Sequence, residues 1–221
     1  MLFSNHHDFF ISPPNNEPTL LKRAESIAGY TLGELTLLTH TNIPTNLKYD
    51  KGWIGLLMEK FLGAYAKNKP EQDFFKIGIE LKTIPIDKQG NPLETTFICT
   101  LSPNKNIGVT WNNCYVRNKL SRVLWMPIEG DKKTPLALRR VGTPFLWSPN
   151  VQEEKALHQD WDELMDLVVC SNPSHITARH GEFLQIRPKS NYRNTKQKIN
   201  TRGFYLKKNF TAAILARYFL L

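Results

Sequence analysis

The sequence predicts an α/β protein, and three observations carry that reading. From Lys76 to Ile84 residues alternate as in a strand, with Ile77, Ile79 and Leu81 on one side and Gly78, Glu80 and Lys82 on the other. From Gly52 to Ala66 the apolar residues Ile54, Leu57, Met58, Phe61, Leu62 and Tyr65 recur at helical spacing. Asn150, with Glu153 three residues later, is the start signal of a long helix whose buried stripe would be Leu157, Trp161, Leu164 and Val168.

The other elements follow in order. Ser12-Pro-Pro-Asn-Asn-Glu-Pro18 is a turn cluster that sets a terminal segment, 1–18, apart from the body. Residues 19–30 read as a helix with Leu20, Leu21, Ala24 and Ile27 on its stripe, and Thr31 to His40 as a second. Strands are expected over Lys76–Ile86 and Thr95–Leu101, joined through the turn residues Asp87-Lys-Gln-Gly-Asn-Pro92. Trp111–Leu120 reads as a helix, Arg122–Ile128 as a strand and Thr143–Trp147 as a short strand. Ile176–Arg179 and Phe183–Arg187 suggest a hairpin around His180-Gly-Glu182. A loop over 188–202 carries five Lys or Arg and little apolar material, which predicts a mobile basic connection able to order on phosphates. Asn209 followed by Phe210–Leu220 reads as a C-terminal helix.

The 221 residues suffice for one substantial core, read as a single domain over 1–221. Hydrophobic content of 41% and charged content of 22% describe an ordinary globular protein. A net charge of +9 favours a polyanionic partner without saying which. Cys99, Cys114 and Cys170 are odd in number and far apart, so neither a disulfide framework nor a zinc site is implied, and a reducing, cytoplasmic setting is expected. No apolar run reaches the ~20 residues of a membrane helix, and the N-terminus lacks the pattern of a secretory signal. His6 and His7 read as part of a polar terminus.

The chemistry-bearing stretch is Asp73-Phe-Phe-Lys-Ile-Gly-Ile-Glu80-Leu-Lys82. On a strand, Glu80 and Lys82 share a face roughly 7 Å apart. A carboxylate pair suits a hard cation such as Mg²⁺, which can polarise a phosphodiester and activate water. An ammonium alongside can steady the attacking oxygen or the reacting phosphorus. The same letters recur at Asp131…Glu153-x-Lys155, but in a helix-like stretch where residues two apart do not share a face. Strand context separates the two copies. No G-x-S-x-G elbow or P-loop competes, and His175 and His180 lack a partner that would complete a nucleophilic dyad.

Longer blocks carry a resemblance. Lys51-Gly-Trp-Ile-Gly-Leu-Leu-Met-Glu59, Lys69-Pro-Glu-Gln-Asp73-Phe, Gly78-Ile-Glu80-Leu-Lys82-Thr-Ile-Pro85 and Leu93-Glu-Thr-Thr-Phe97 resemble the MutH family of DNA mismatch-repair endonucleases, which share a core with type II restriction enzymes. So do Gly108-Val-Thr-Trp111, Val141-Gly-Thr-Pro-Phe-Leu-Trp-Ser-Pro-Asn150, Ile176-Thr-Ala-Arg-His-Gly-Glu182, Leu184-Gln-Ile-Arg-Pro-Lys189 and Arg202-Gly-Phe-Tyr-Leu-Lys-Lys-Asn-Phe-Thr211. The similarity spans roughly residues 20–221.

The resemblance implies a restriction-endonuclease-like core, a mixed sheet flanked by helices in two lobes around a DNA cleft. It implies that Asp73, Glu80 and the backbone carbonyl of Leu81 bind one or two Mg²⁺ ions, for which Mn²⁺ or Ca²⁺ can substitute in binding. Lys82 would act on the nucleophilic water. Glu59, read from its helix alone as a solvated boundary residue, would join the acidic set. Arg187, Pro188 and Lys189 would lie in the base-recognition segment, with Arg187 suited to guanine O6 and N7. Tyr205 would sense adenine methylation. Lys51 and Lys119 would contact phosphates, and Phe97 either wedges near the bases or belongs to the core. The implied activity is nicking of the unmethylated strand at hemimethylated GATC, leaving a 5′ phosphate, with MutL as activator and MutS acting through it. The implied state in solution is a monomer. The alternative is a stand-alone type II restriction enzyme cutting both strands of GATC. The connection before Arg202 is shorter than in some relatives.

Overall fold

The computed structural model describes residues 12–45, 47, 50, 52–64, 71–101, 108–170, 176–177, 179–189 and 201–219. In chain order its helices are α1 (Glu17–Glu25), α2 (Leu32–Thr39), α3 (Trp53–Leu62), α4 (Tyr115–Leu120), α5 (Val151–Cys170) and α6 (Lys208–Phe219). Its strands are β1 (Glu80–Ile86), β2 (Thr96–Thr100), β3 (Val123–Glu129), β4 (Phe145–Trp147), β5 (Leu184–Pro188) and β6 (Arg202–Leu206). The α/β expectation holds, with a mixed sheet. The chain divides into two compact units, one made of Met1–Leu93 with Arg122–Trp147, the other of Glu94–Ser121 with Ser148–Leu221.

The first unit holds a sheet in the order β1-β3-β4. β1 runs parallel to β3 in the register Glu80↔Val123 to Ile86↔Glu129, and β3 runs antiparallel to β4. The central strand β3 is buried from Val123 to Ile128, which is why its sequence is a continuous apolar run and not an alternating one. Leu20, Leu35, Met58 and Phe61 from α1–α3 close the core with Ile79, Leu81, Leu124 and Met126.

Local chemistry sets the helix ends. Asn16 caps α1 by accepting from the Thr19 amide at 2.9 Å. Thr31 and Glu34 cap α2 reciprocally. The helix expected over 52–66 stops at Leu62, because Gly63 takes the left-handed conformation at φ 80°. Arg23, buried, donates from Nη1 to the carbonyls of Leu62 at 3.2 Å and Ser12 at 2.8 Å at that end. The helix expected over 19–30 ends at Glu25, after which a turn brings the Gly29 amide to the Val141 carbonyl at 2.7 Å.

The second unit holds the antiparallel sheet β2-β6-β5. α5 packs against β5 and against the turn at Trp111–Asn113. Asn150 and Glu153 cap α5 as expected. Its buried face runs through Leu157, Asp160, Trp161, Leu164 and Met165, so Met165 and not Val168 continues the stripe. Three expectations are corrected. The helix expected over 111–120 is a 3₁₀ turn, Trp111–Asn113, and then α4, separated by extended Cys114. The hairpin expected around 180–182 is not seen among the described residues: β5 pairs with β6, and the His180 ring nitrogen Nδ1 accepts from the Thr177 amide at 3.1 Å. The C-terminal helix begins at Lys208, before Asn209. Of the basic connection, residues 190–200 lie outside the described residues. Among the described residues no helix is long and apolar enough to cross a membrane.

Candidate active site and nucleic-acid interface

In the first unit the strand expected from Lys76 begins at Glu80 instead. Phe75–Ile77 forms a 3₁₀ turn, and Gly78 follows in the left-handed conformation at φ 69°. Reciprocal hydrogen bonds between Phe74 and Ile79, at 2.9 and 3.3 Å, close this turn. The buried Gln72 adds a bond from Nε2 to the Gly78 carbonyl at 2.8 Å. The turn brings Asp73 back beside the strand it precedes.

The edge of the sheet then orients Asp73. The Glu80 amide donates inward, to the Arg122 carbonyl at 3.0 Å. The Leu81 amide therefore points away from β3, where the ladder supplies no acceptor. Asp73 Oδ2 accepts from it at 2.9 Å. One carboxylate is thus fixed one residue from the second. Glu80 is 2% exposed, and its Oε1 meets the Lys82 ammonium at 2.5 Å. The two share a strand face, as the alternation requires from residue 79 onward. A carboxylate this buried is costly unless paired, and Lys82 is its partner.

Glu59 is half-buried on α3, which packs against β1. Among the described residues no three His, Cys, Asp or Glu side chains converge as a ready metal cage. The arrangement brings together Asp73, Glu80, Leu81 and Lys82. The donor set fits Mg²⁺ in kind: two carboxylates and a backbone carbonyl, all hard oxygens, for an ion that keeps several waters. Lys51 lies outside the described residues.

In the second unit, Phe97, Arg187, Lys189 and Tyr205 cluster around one sheet. Tyr205 on the central strand β6 is opposite both Phe97 and Gln185, and Arg187 is opposite Gly203. The Phe97 and Tyr205 rings meet edge to face with centroids 5.2 Å apart. Gly203 leaves room for this: a Cβ there would come within 2.7 Å of Phe97 Cε2. The Arg187 guanidinium lies 5.9 Å from the Tyr205 centroid, and its Nη1 donates to Thr95 Oγ1 at 2.9 Å. The Lys189 ammonium lies 4.7 Å over the Phe97 ring. Arg187, Pro188 and Lys189 are exposed, while Phe97 and Tyr205 are half-buried. Burial pushes the Tyr205 phenol up, and the Arg187 charge opposes that only in part. Tyr205 is a neutral hydroxyl at physiological pH, able to donate. Two rings and two cations on one surface suit bases and phosphates. Lys119 is different: it is buried on α4, 8% exposed.

Two residues of weight escaped the sequence reading. Glu154 Oε1 accepts from Trp111 Nε1 at 2.9 Å and from Arg117 Nε at 2.7 Å. Asp160, 5% exposed, accepts from three successive amides, those of Glu182, Phe183 and Leu184. The signal for Asp160 was present, since it stands on the apolar stripe of α5 between Leu157 and Trp161.

Comparison with known proteins adds an independent line. Residues 62–160 match the family model described as DNA mismatch repair enzyme MutH. The chain is 55% identical over 221 residues to the DNA mismatch repair protein MutH of Escherichia coli O139:H28 (strain E24377A / ETEC), a match covering 96% of each chain. The proteins of the same description from E. coli O9:H4 (strain HS) and from E. coli strain K12 / DH10B match to the same extent.

Proposed function

The chain belongs to the MutH family of DNA mismatch-repair endonucleases, and on that premise we propose that it hydrolyses one DNA strand at GATC, choosing the strand whose adenine is unmethylated. The observation that carries the reading is the buried Glu80–Lys82 pair with Asp73 anchored on the next amide. In the reaction a water oxygen forms a bond to phosphorus, the bond from phosphorus to the 3′ oxygen breaks, and the products are a 5′ phosphate and a 3′ hydroxyl. Asp73, Glu80 and the Leu81 carbonyl would hold Mg²⁺, with Glu59 as a further acidic partner. When bound, the ion supplies charge neutralisation at the phosphate and acidifies bound water.

The chain's own residues do the rest. Lys82 presents a cation to the oxygen that gains charge as it attacks, an interaction stronger in the transition state than in the ground state. Glu80 holds that ammonium in place. Arg187 reads guanine through paired donors, with Pro188 and Lys189 in the same segment. Tyr205 lies against the adenine N6 position, where a methyl group would intrude, and Phe97 supports its ring. Lys51 contacts backbone phosphates. The buried position of Lys119 weakens a direct phosphate contact for it and favours holding α4. MutL is the proposed activator, signalled by MutS, and the proposed solution state is a monomer acting in the cytoplasm.

Digestion of unmethylated, hemimethylated and fully methylated GATC plasmids tests this, with and without Mg²⁺ and MutL. The expected product is nicked DNA from the first two and none from the third, dependent on Mg²⁺ and stimulated by MutL. Rapid linearisation without a partner would establish a stand-alone restriction enzyme in its place.

A further inference from the structure

Strand β5 has an unusual problem of register. Among the described residues it is the edge of the β2-β6-β5 sheet and pairs on one side only. Its partner β6 follows after residues 189–201, of which 190–200 lie outside the described residues, and the Lys189 amide still donates to the Thr201 carbonyl at 2.7 Å. Register decides everything here, since a slip by one residue turns every side chain to the other face. In the register observed, Leu184 and Ile186 face one way, both buried, and Gln185 and Arg187 face the other, beside Tyr205.

Asp160 answers that problem. Its carboxylate, on the buried face of α5, accepts from the amides of Glu182 at 2.6 Å, Phe183 at 2.6 Å and Leu184 at 2.7 Å. Leu184 is the first residue of β5 and lies three residues before Arg187. The approach is tightened at Gly181, which is left-handed at φ 69° and whose Cβ would come within 2.3 Å of the Leu184 carbonyl and 3.2 Å of Asp160 Cγ. Lys207 Nζ donates to the Gly181 carbonyl at 2.5 Å, and the Lys207 amide to the Phe183 carbonyl at 2.8 Å. A helical carboxylate thus grips the start of an edge strand through three consecutive donors, and charge-assisted bonds of this kind are the strong ones.

We propose that Asp160 is a positioning residue for base recognition: its buried carboxylate sets the register and entry of β5, and so presents Arg187 on the Tyr205 face. This rests on the base-reading role given to Arg187 above. Asp160 touches no DNA, and its effect passes through Arg187.

The test compares the full-length chain with Asp160→Asn, Arg187→Ala and the double variant. Affinity is measured for a GATC duplex and for duplexes with one base pair of the site changed, and melting temperature is recorded for each protein. Asp160→Asn places an amide donor against amide donors. It should lower the ratio of affinities by about tenfold, near the low end of one base contact, and should lower it no further once Arg187 is alanine. A purely structural residue would instead weaken binding to all duplexes in proportion, or add its loss to that of Arg187→Ala; either result overturns the proposal. An unchanged ratio in Arg187→Ala alone overturns the base-reading role, and the proposal with it. If Asp160→Asn does not fold, Asp160→Glu takes its place. It keeps the charge, displaces it by one methylene, and is held to the same comparison.

Discussion

Replacing Lys82 with methionine keeps the aliphatic stem and removes the ammonium from a carboxylate that is 2% exposed. The Lys82 side chain is itself 14% exposed, so water screens the pair little. Breaking a buried pair by deleting one partner typically costs about 3–5 kcal/mol, because the remaining charge is stranded. At roughly 2–4 °C per kcal/mol for a chain of this size, the melting temperature in EDTA should fall by about 6–20 °C. Mg²⁺ at the Asp73–Glu80 oxygens would replace the missing positive charge. The deficit should therefore shrink when Mg²⁺ is added, by more than Mg²⁺ stabilises the parent protein. Chemistry should not recover with stability. Loss of a cation aimed at developing charge lowers the rate by about 10²–10³-fold, whereas affinity for a GATC duplex should stay within about tenfold, since several phosphate contacts remain. The assay is thermal unfolding with and without Mg²⁺, beside single-turnover nicking. A melting deficit that is the same in EDTA and in Mg²⁺ would refute the argument that Glu80 is the group both cations serve. Equal losses in affinity and rate would make Lys82 a phosphate anchor instead.

Tyr205→Ser should narrow the preference between the two strands of a hemimethylated duplex by roughly tenfold to 200-fold, the value of one methyl in a fitted pocket; end-labelled strands report this, and proportionate loss on both would return Tyr205 to a packing role. Binding should weaken steeply with salt, by about 10³–10⁵-fold between 50 and 200 mM if six to ten phosphates are contacted, and a flat response in anisotropy titrations would contradict DNA contact through the basic surface. Glu17 meets Arg122 through two hydrogen bonds at 2.6 and 2.9 Å, which hold its carboxyl below the ordinary 4.5. A depressed carboxyl stabilises above its unfolded value and loses that contribution as pH falls through the folded one. Glu17→Gln should thus cost at most about 1 kcal/mol at neutral pH, the side chains being partly exposed, and the difference from the parent should vanish in melting curves below the carboxylate range.

Much of the site was legible because it depends on local pattern. Alternation put Glu80 and Lys82 on one face, and the pair forms there. Asn150 and Glu153 announced α5 because a cap is a property of four residues. The start of β1 was not legible: Lys76–Ile79 alternates in letters, yet Gly78 is left-handed, and letters do not record the sign of φ. The hairpin expected at 176–187 is not seen among the described residues, for a longer-range reason. β5 finds its partner beyond the basic connection, at Arg202–Leu206, and such pairing leaves no local mark. Asp160 was overlooked because a helix stripe is read by its apolar members, whereas its one acidic member ties the helix to a strand some twenty residues away.

The residues proposed for chemistry and those proposed for reading are built on different cores. Asp73, Glu80 and Lys82 belong to the unit whose sheet is β1-β3-β4, and Phe97, Arg187 and Tyr205 to the unit whose sheet is β2-β6-β5. Lys82 is held by Glu80, and Tyr205 by Phe97 and Arg187, so the two side chains share none of these partners. Substitutions at well-separated sites without shared partners add in stability to within about 0.3–0.5 kcal/mol, whereas residues of one network couple. Lys82→Met and Tyr205→Ser should therefore lower unfolding free energy by the sum of their separate effects. Strand preference should be moved by Tyr205→Ser alone, and the maximal nicking rate chiefly by Lys82→Met. Denaturant melts of the parent, the two single variants and the double variant measure the first, and hemimethylated duplexes the second. A coupling well above about 0.5 kcal/mol, or a changed strand preference in Lys82→Met, would show that recognition and cleavage draw on one network and not two.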